Sequence, residues 1–120
     1  MTRLVVVESP WQANPNAYTV EQHKTYLEYA LQDCFKRGEA PFASHGLYTF
    51  ILDDDCLPER LQGIEAGLLW GVHCDFVAVY TDMGISDGMR QAIQHWEKLG
   101  KRIERRTIAP GLWKAVREME

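Results

Sequence analysis

The strongest constraint on this chain is a repeated change of hydrophobic period. Leu4-Val5-Val6-Val7 and the stretch from Asp75 to Tyr80 are short β-branched runs without polar alternation. Strands buried on both faces read this way. Between and after them the apolar residues switch to helical spacing. Thr19 is followed three residues later by Gln22, a capping-box signature, and then by Leu27, Ala30, Leu31, Cys34 and Phe35, with Arg37-Gly38 as the stop. Pro58 suits a first helical position, and Leu61, Ile64, Leu68 and Val72 predict a second amphipathic helix ending at His73-Cys74. Met89, Ala92, Ile93 and Trp96 mark a third, stopped by Gly100. Ala40 to Ala43 is a short candidate strand, Lys101 to Ile108 alternates as an edge strand does, and a short tail helix follows Pro110-Gly111. Ser44 to Asp55 fits neither period. Strand and helix in alternation are the βαβ pattern of a parallel sheet with helices on both faces.

The 120 residues form one domain, 46% hydrophobic and 25% charged, the profile of a folded globule. A net charge of −4 argues against a nucleic-acid binder, which needs a dense Lys/Arg face. No apolar run reaches the ~18 residues of a membrane span, and the run before Glu8 is too short for a signal-peptide core. Three cysteines, Cys34, Cys56 and Cys74, are an odd set that suits a reducing cytoplasm. The four His and three Cys show no zinc spacing, so neither a metal nor a cofactor is expected. Walker and GxGxxG motifs are absent.

In parallel α/β sheets, ligands bind beyond the carboxyl ends of the strands, which selects three loops. Ser86-Asp87-Gly88-Met89 opens a helix after a buried strand, where free N–H groups and the helix dipole favour an anion. Ser86 or Asp87 serves there either as a plain N-cap or as a ligand contact. Ser9-Pro10-Trp11 places an aromatic past the first strand, either to stack on a ring or to cover the sheet edge; Asn14 and Asn16 are polar contacts or turn formers. His45, with Tyr48 near it, is a ligand contact or a satisfied structural histidine. Asp53-Asp54-Asp55 reads as a magnesium site or as a solvated loop before a helix. Leu69 and Trp70 lie off the apolar stripe of the second helix, either as interface residues or buried under the tail around Trp113.

Taken in order, Val6-Val7-Glu8-Ser9-Pro10-Trp11, Glu39 to Tyr48, Glu59-Arg60 with Gly63, Cys74-Asp75 and Ile85-Ser86-Asp87-Gly88-Met89 resemble small phage and bacterial domains related to the nucleoside 2-deoxyribosyltransferase superfamily. The likeness runs from about Leu4 to Ile108. It implies a Rossmann-like three-layer α/β sandwich with a four- or five-stranded, mainly parallel sheet. It also implies N-glycosidic chemistry on deoxynucleosides or their 5′-monophosphates, through a nucleophilic Glu, a helper Asp and an orienting Tyr. Ser86 and Gly88 fall on the loop that cradles the 5′-phosphate in that superfamily. The catalytic positions do not follow: Ala92 stands at the nucleophile position, Gly67-Leu68 where the helper Asp lies, and Val6-Val7 in the region of the Tyr.

The expected function is therefore a protein that senses or sequesters a nucleotide-like ligand, contacted by Ser9, Pro10, Trp11, His45, Tyr48, Ser86, Asp87, Gly88 and Met89. The alternative is an N-glycosidase or deoxyribosyltransferase using Glu8, Glu65 or Asp82 as a replacement carboxylate. A further alternative is a structural or protein-interaction role. The resemblance also implies a homodimer or higher homo-oligomer.

Overall fold

A computed structural model describes residues 2–11 and 18–119. Asn14 and Asn16 lie outside the described residues, so neither reading of them is addressed. Four strands, β1 (Leu4–Glu8), β2 (Ala40–Phe42), β3 (Phe76–Tyr80) and β4 (Arg102–Arg106), form a parallel sheet in the order β2-β1-β3-β4. Val6 lies opposite Phe42 on one side and Val77 on the other, and Glu8 lies opposite Val79. The fold is the α/β sandwich that the alternating periods predict. Asp75 falls just outside β3, where its carboxylate accepts the Leu4 N–H at 2.7 Å.

Alternation along each strand divides the core in two. Val5, Val7, Phe76, Ala78 and Tyr80 face α1 (Val20–Lys36), meeting Tyr26, Leu27, Ala30 and Cys34. The capping box at the start of α1 is complete: Thr19 Oγ1 accepts the Gln22 N–H at 3.1 Å and Gln22 Oε1 accepts the Thr19 N–H at 2.8 Å. The same Gln22 donates through Nε2 to the Val116 carbonyl at 3.0 Å, joining α1 to α5 (Pro110–Arg117). Phe35, at helical spacing with the core residues, stands exposed beyond the end of the buried stripe. On the opposite face Val6, Val77 and Val79 pack against Met89, Ile93 and Trp96 of α4 (Asp87–Lys98). Each fully buried valine contributes about 1.5–3 kcal/mol relative to exposure.

The segment from Ser44 to Asp55 contains a single helical turn, α2 (Ser44–Leu47), and a 3-10 turn at Tyr48–Phe50. The second amphipathic helix, α3 (Leu57–Gly71), ends two residues before His73 and turns most of its apolar pattern outward. Of the predicted stripe only Leu68 packs inward, partly buried against the α4-side core; Leu61, Ile64 and Val72 are exposed, and the fully buried residues are Gly67 and Gly71. The reason is close approach. A Cβ on Gly71 would sit inside the Trp96 ring, and one on Gly67 would collide with the Ser44 side chain. Leu69 and Trp70 are also exposed, 64% and 66%, which removes their burial under the tail. Trp113 packs instead edge-on to Tyr26 and Tyr18.

A buried polar network fixes the β4 edge. Arg106 donates to both carboxylate oxygens of Glu39 at 2.7 Å and to Glu104 at 3.1 Å, and its guanidinium lies over the Phe76 ring. Its hydrogen bonds raise its already high pKa, and Glu39 is held below the usual carboxylate range by the same pair. Tyr80 donates to Asp33 at 2.7 Å, carrying the network on to α1. Cys34, Cys56 and Cys74 are free thiols. No helix among the described residues is long and apolar enough to cross a membrane.

Candidate functional site

Because β1 connects outward to β2 while β3 connects outward to β4, the sense of the connections across the parallel sheet changes between β1 and β3. The crevice beyond their carboxyl ends is where such sheets accept ligands. Three groups lie near the strand ends: at the end of β1, in α2 with the residues after β1, and at the start of α4.

The first is Glu8, the last residue of β1, which points to the α4 side with Val6. Trp96 Nε1 donates to Glu8 Oε1 at 3.2 Å, and Trp96 is seated against Gly71. Burial pushes the Glu8 carboxyl up to about 7, and the Trp96 bond opposes this only in part. Ala92, one turn before Trp96 on α4, packs partly buried in the same cluster. The carboxyl on β1 and the position where the resemblance places a nucleophile thus share one face.

The second group is Ser9, His45 and Trp11. Ser9 is buried, and its hydroxyl lies 2.9 Å from His45 Nε2. The His45 ring meets Trp11 edge-on, with centroids 5.6 Å apart, and His23 Nδ1 lies 2.7 Å from the Trp11 carbonyl. Burial pulls the His45 pKa down to about 4, so the imidazole is neutral near pH 7. Trp11 packs on the α1-side core and also lines a groove. That groove, about 1150 Å³ along α1 and the 3-10 turn, has Leu27, Phe42, Leu47 and Phe50 among its walls. Nothing in the sequence pattern announced it. Tyr48 stands edge-on to Phe42 and shares a cavity of about 70 Å³ with His45, Glu59 and Arg60.

The third group is the start of α4. Ser86 Oγ accepts the Met89 N–H at 3.2 Å, so the serine is the N-cap. Asp87 pairs with Arg90 at 2.7 Å on the surface. The Met89 side chain is buried in the core, which leaves its backbone as the part that faces the helix end. Ser86, Asp87 and Gly88 are exposed, and no atom lies within 4 Å of where a Gly88 Cβ would be. Pro10 is buried beside Ser9.

The other two candidate carboxylates are elsewhere engaged or absent from the crevice. Asp82 Oδ1 accepts from the Tyr26 hydroxyl at 2.7 Å and from the Ile108 N–H at 3.0 Å, and the Asp82 N–H donates back to Tyr26. It is a latch between α1, the end of β3 and the segment after β4. Glu65 is exposed on α3. Among the acidic run, Asp53 accepts the Asp55 N–H and donates its own N–H to Glu59, closing the turn before α3. No set of three His, Cys, Asp or Glu among the described residues is placed to hold a metal. Sequence reasoning missed the Glu8–Trp96 bond, although Gly71 at helical spacing from Gly67 marks where a large ring approaches.

A four-stranded, all-parallel sheet with helices packed on both faces defines the class: a small α/β domain. The chain belongs to the family described as domain of unknown function DUF7768, whose pattern matches residues 3–106. No curated protein and no solved structure matches the chain. The matched residues run from β1 through β4, so the family pattern includes the whole sheet and every group of the crevice, while α5 lies beyond it.

Proposed function

We propose that this domain binds a small phosphate-bearing, nucleotide-like ligand at the β1/β3 crevice, and that it senses or sequesters that ligand in the cytoplasm. The observation that carries the reading is the open start of α4 directly after β3. The first N–H groups of a helix have no partner within it. Ser86 takes up that of Met89, while those of Asp87 and Gly88 lie at an exposed end with space around Gly88. A phosphate there meets the positive end of the helix dipole. Ser9, His45 and Trp11 supply a neutral polar and aromatic wall of the kind that orients a sugar or base. Turnover is disfavoured because Ala92, at the position of the resemblance's nucleophile, has no group that can attack carbon.

Thermal shift and calorimetry with 2′-deoxynucleoside 5′-monophosphates and the matching nucleosides test this. Monophosphates at about 100 times Kd should stabilise the fold by about 2.7 kcal/mol, and Ser86→Ala should weaken them more than it weakens nucleosides. Equal weakening makes Ser86 a helix cap only; no response to any of them refutes the reading and favours an interaction role.

A second reading, slow glycosidic cleavage, is favoured by Glu8 alone, since a carboxyl near 7 suits a general acid. Release of free base that Glu8→Gln abolishes would establish it.

A further inference from the structure

The groove on the α1 side of the sheet has a shape and a charge that the crevice ligand does not use. One wall is a single face of α1, where Val20, Lys24, Leu27 and Leu31 follow one another at spacings of four, three and four residues. From Val20 to Leu31 the helix rises about 16 Å, or three turns. Phe42, Leu47 and Phe50 form the facing wall. The walls meet at Leu27, where α2 comes so near that a Cβ on Gly46 would collide with the leucine side chain. Much of this apolar lining stands in water: Val20 is 41% exposed, Leu47 50% and Phe50 90%. At about 1150 Å³ the groove exceeds the roughly 300–1,000 Å³ of small-molecule sites, which enclose most of their ligand.

Two features identify the occupant. The first is charge. Glu28, Asp54 and Asp55 line the groove against a single cation, Lys24, which already lies 3.6 Å from Glu21. The rim therefore attracts a cationic partner and repels an anionic membrane surface. The second is the backbone beside it. β2 is an edge of the sheet, and its Ala40 N–H donates inward to the Arg3 carbonyl at 2.9 Å. Successive N–H groups of a strand point to opposite sides, so position 41 faces outward, and Pro41 has no N–H to offer. An extended peptide added to this edge would lack its central donor. A helix satisfies its own backbone and reads a groove through side chains alone. We propose that the groove docks a basic, amphipathic helix of about three turns from a partner protein. Its apolar anchors meet Leu27, Leu47 and Phe50, and its Lys or Arg side chains meet Glu28 and Asp55.

The test is selection on the immobilised wild-type chain from a displayed library of random peptides about 16 residues long, enough for three turns. The enriched sequences should carry apolar residues at helical spacing (i, i+3 or i+4, i+7) with Lys or Arg beside them. One such peptide, synthesised with a fluorophore, is then titrated with wild type and with Leu47→Glu, Phe50→Glu and Glu28→Lys. All three sites are exposed, far-UV circular dichroism verifies folding, and two variants decide if the third fails to fold. Each variant should weaken binding by about tenfold or more. No enrichment, enriched sequences that are acidic or lack helical spacing, or a peptide that the variants bind as tightly as wild type would each overturn the proposal. Cosedimentation with phosphatidylserine vesicles that Phe50→Glu abolishes would overturn it too, because the face would then belong to a membrane. Peptide binding is read without any nucleotide, so its failure and a failure of the crevice reading are separate results.

Discussion

Glu8→Gln tests the crevice through stability alone, without knowledge of a ligand. Raising the Glu8 carboxyl from 4.5 to about 7 makes its ionised form up to about 3 kcal/mol less favourable in the fold than in the unfolded chain. Between these values the folded protein binds more protons than the unfolded one. The Glu8 contribution is therefore fully present below pH 4.5 and is lost as pH rises through about 7. Glutamine keeps an oxygen to accept the Trp96 N–H and cannot ionise. At about pH 4 wild type and variant should be equally stable. At about pH 8.5 the variant should be more stable by up to 3 kcal/mol, or about 10 °C in Tm for a chain of this size. His45 acts in the opposite sense, since its pKa falls from 6.5 to about 4 and its contribution, complete above 6.5, is lost as pH falls toward 4. Both proteins carry His45, so their difference isolates Glu8. Urea unfolding followed by tryptophan fluorescence across this range measures it. A difference that does not change with pH, or a variant that is weaker at high pH, would refute burial as the cause of the shift.

Three further outcomes follow from the geometry. His45→Gln should remove the loss of stability that the wild type shows as pH falls from 6.5 toward 4, read as a flatter acid limb in the same unfolding series. Arg106→Met leaves the Glu39 carboxylate without its bidentate partner in a largely buried site and should cost about 3–5 kcal/mol in chemical denaturation; Glu39→Gln should cost less, because Glu104 still faces the guanidinium. Gly71→Ala forces the Trp96 ring from its seat and should cost about 1–3 kcal/mol, and the Trp96 fluorescence should change with it because the bond to Glu8 is disturbed.

The sheet and its helices were legible because their signals are local. A β-branched run has one reading when both faces are buried, and the Thr19–Gln22 box is formed by residues three apart. The orientation of α3 was not legible, because its apolar residues look like a core stripe until the close approaches at Gly67 and Gly71 are seen. Those approaches involve Ser44 and Trp96, far away in sequence. The crevice divides in the same way. The Ser86 cap depends on neighbours along the chain and could be anticipated, whereas Ser9–His45 and Glu8–Trp96 join residues 36 and 88 positions apart. Asp82 shows the converse case. It sits at a strand end, as a catalytic acid does, and only its bonds to Tyr26 and Ile108 reveal a structural latch.

Environment therefore favours one residue for the proposed enzymatic alternative. A carboxylate nucleophile must be ionised at the working pH and free to approach carbon. Asp82 is disfavoured by its latch, because two hydrogen bonds to Oδ1 fix its carboxylate between α1 and the segment after β4. Glu65 is disfavoured because it stands exposed on α3, whereas the field that favours a transition state is built in a desolvated site. Glu8 is desolvated and lies beside the crevice, but burial keeps about half of it protonated near pH 7, and Trp96 already occupies one of its oxygens. That state suits a proton donor to a leaving base and does not suit an attacking oxygen. If this chain cleaves a glycosidic bond at all, Glu8 would act as the acid and water would have to be the nucleophile, so the reaction would invert the sugar and form no glycosyl-enzyme. Trapping of a covalent adduct on Glu8 would contradict this assignment directly.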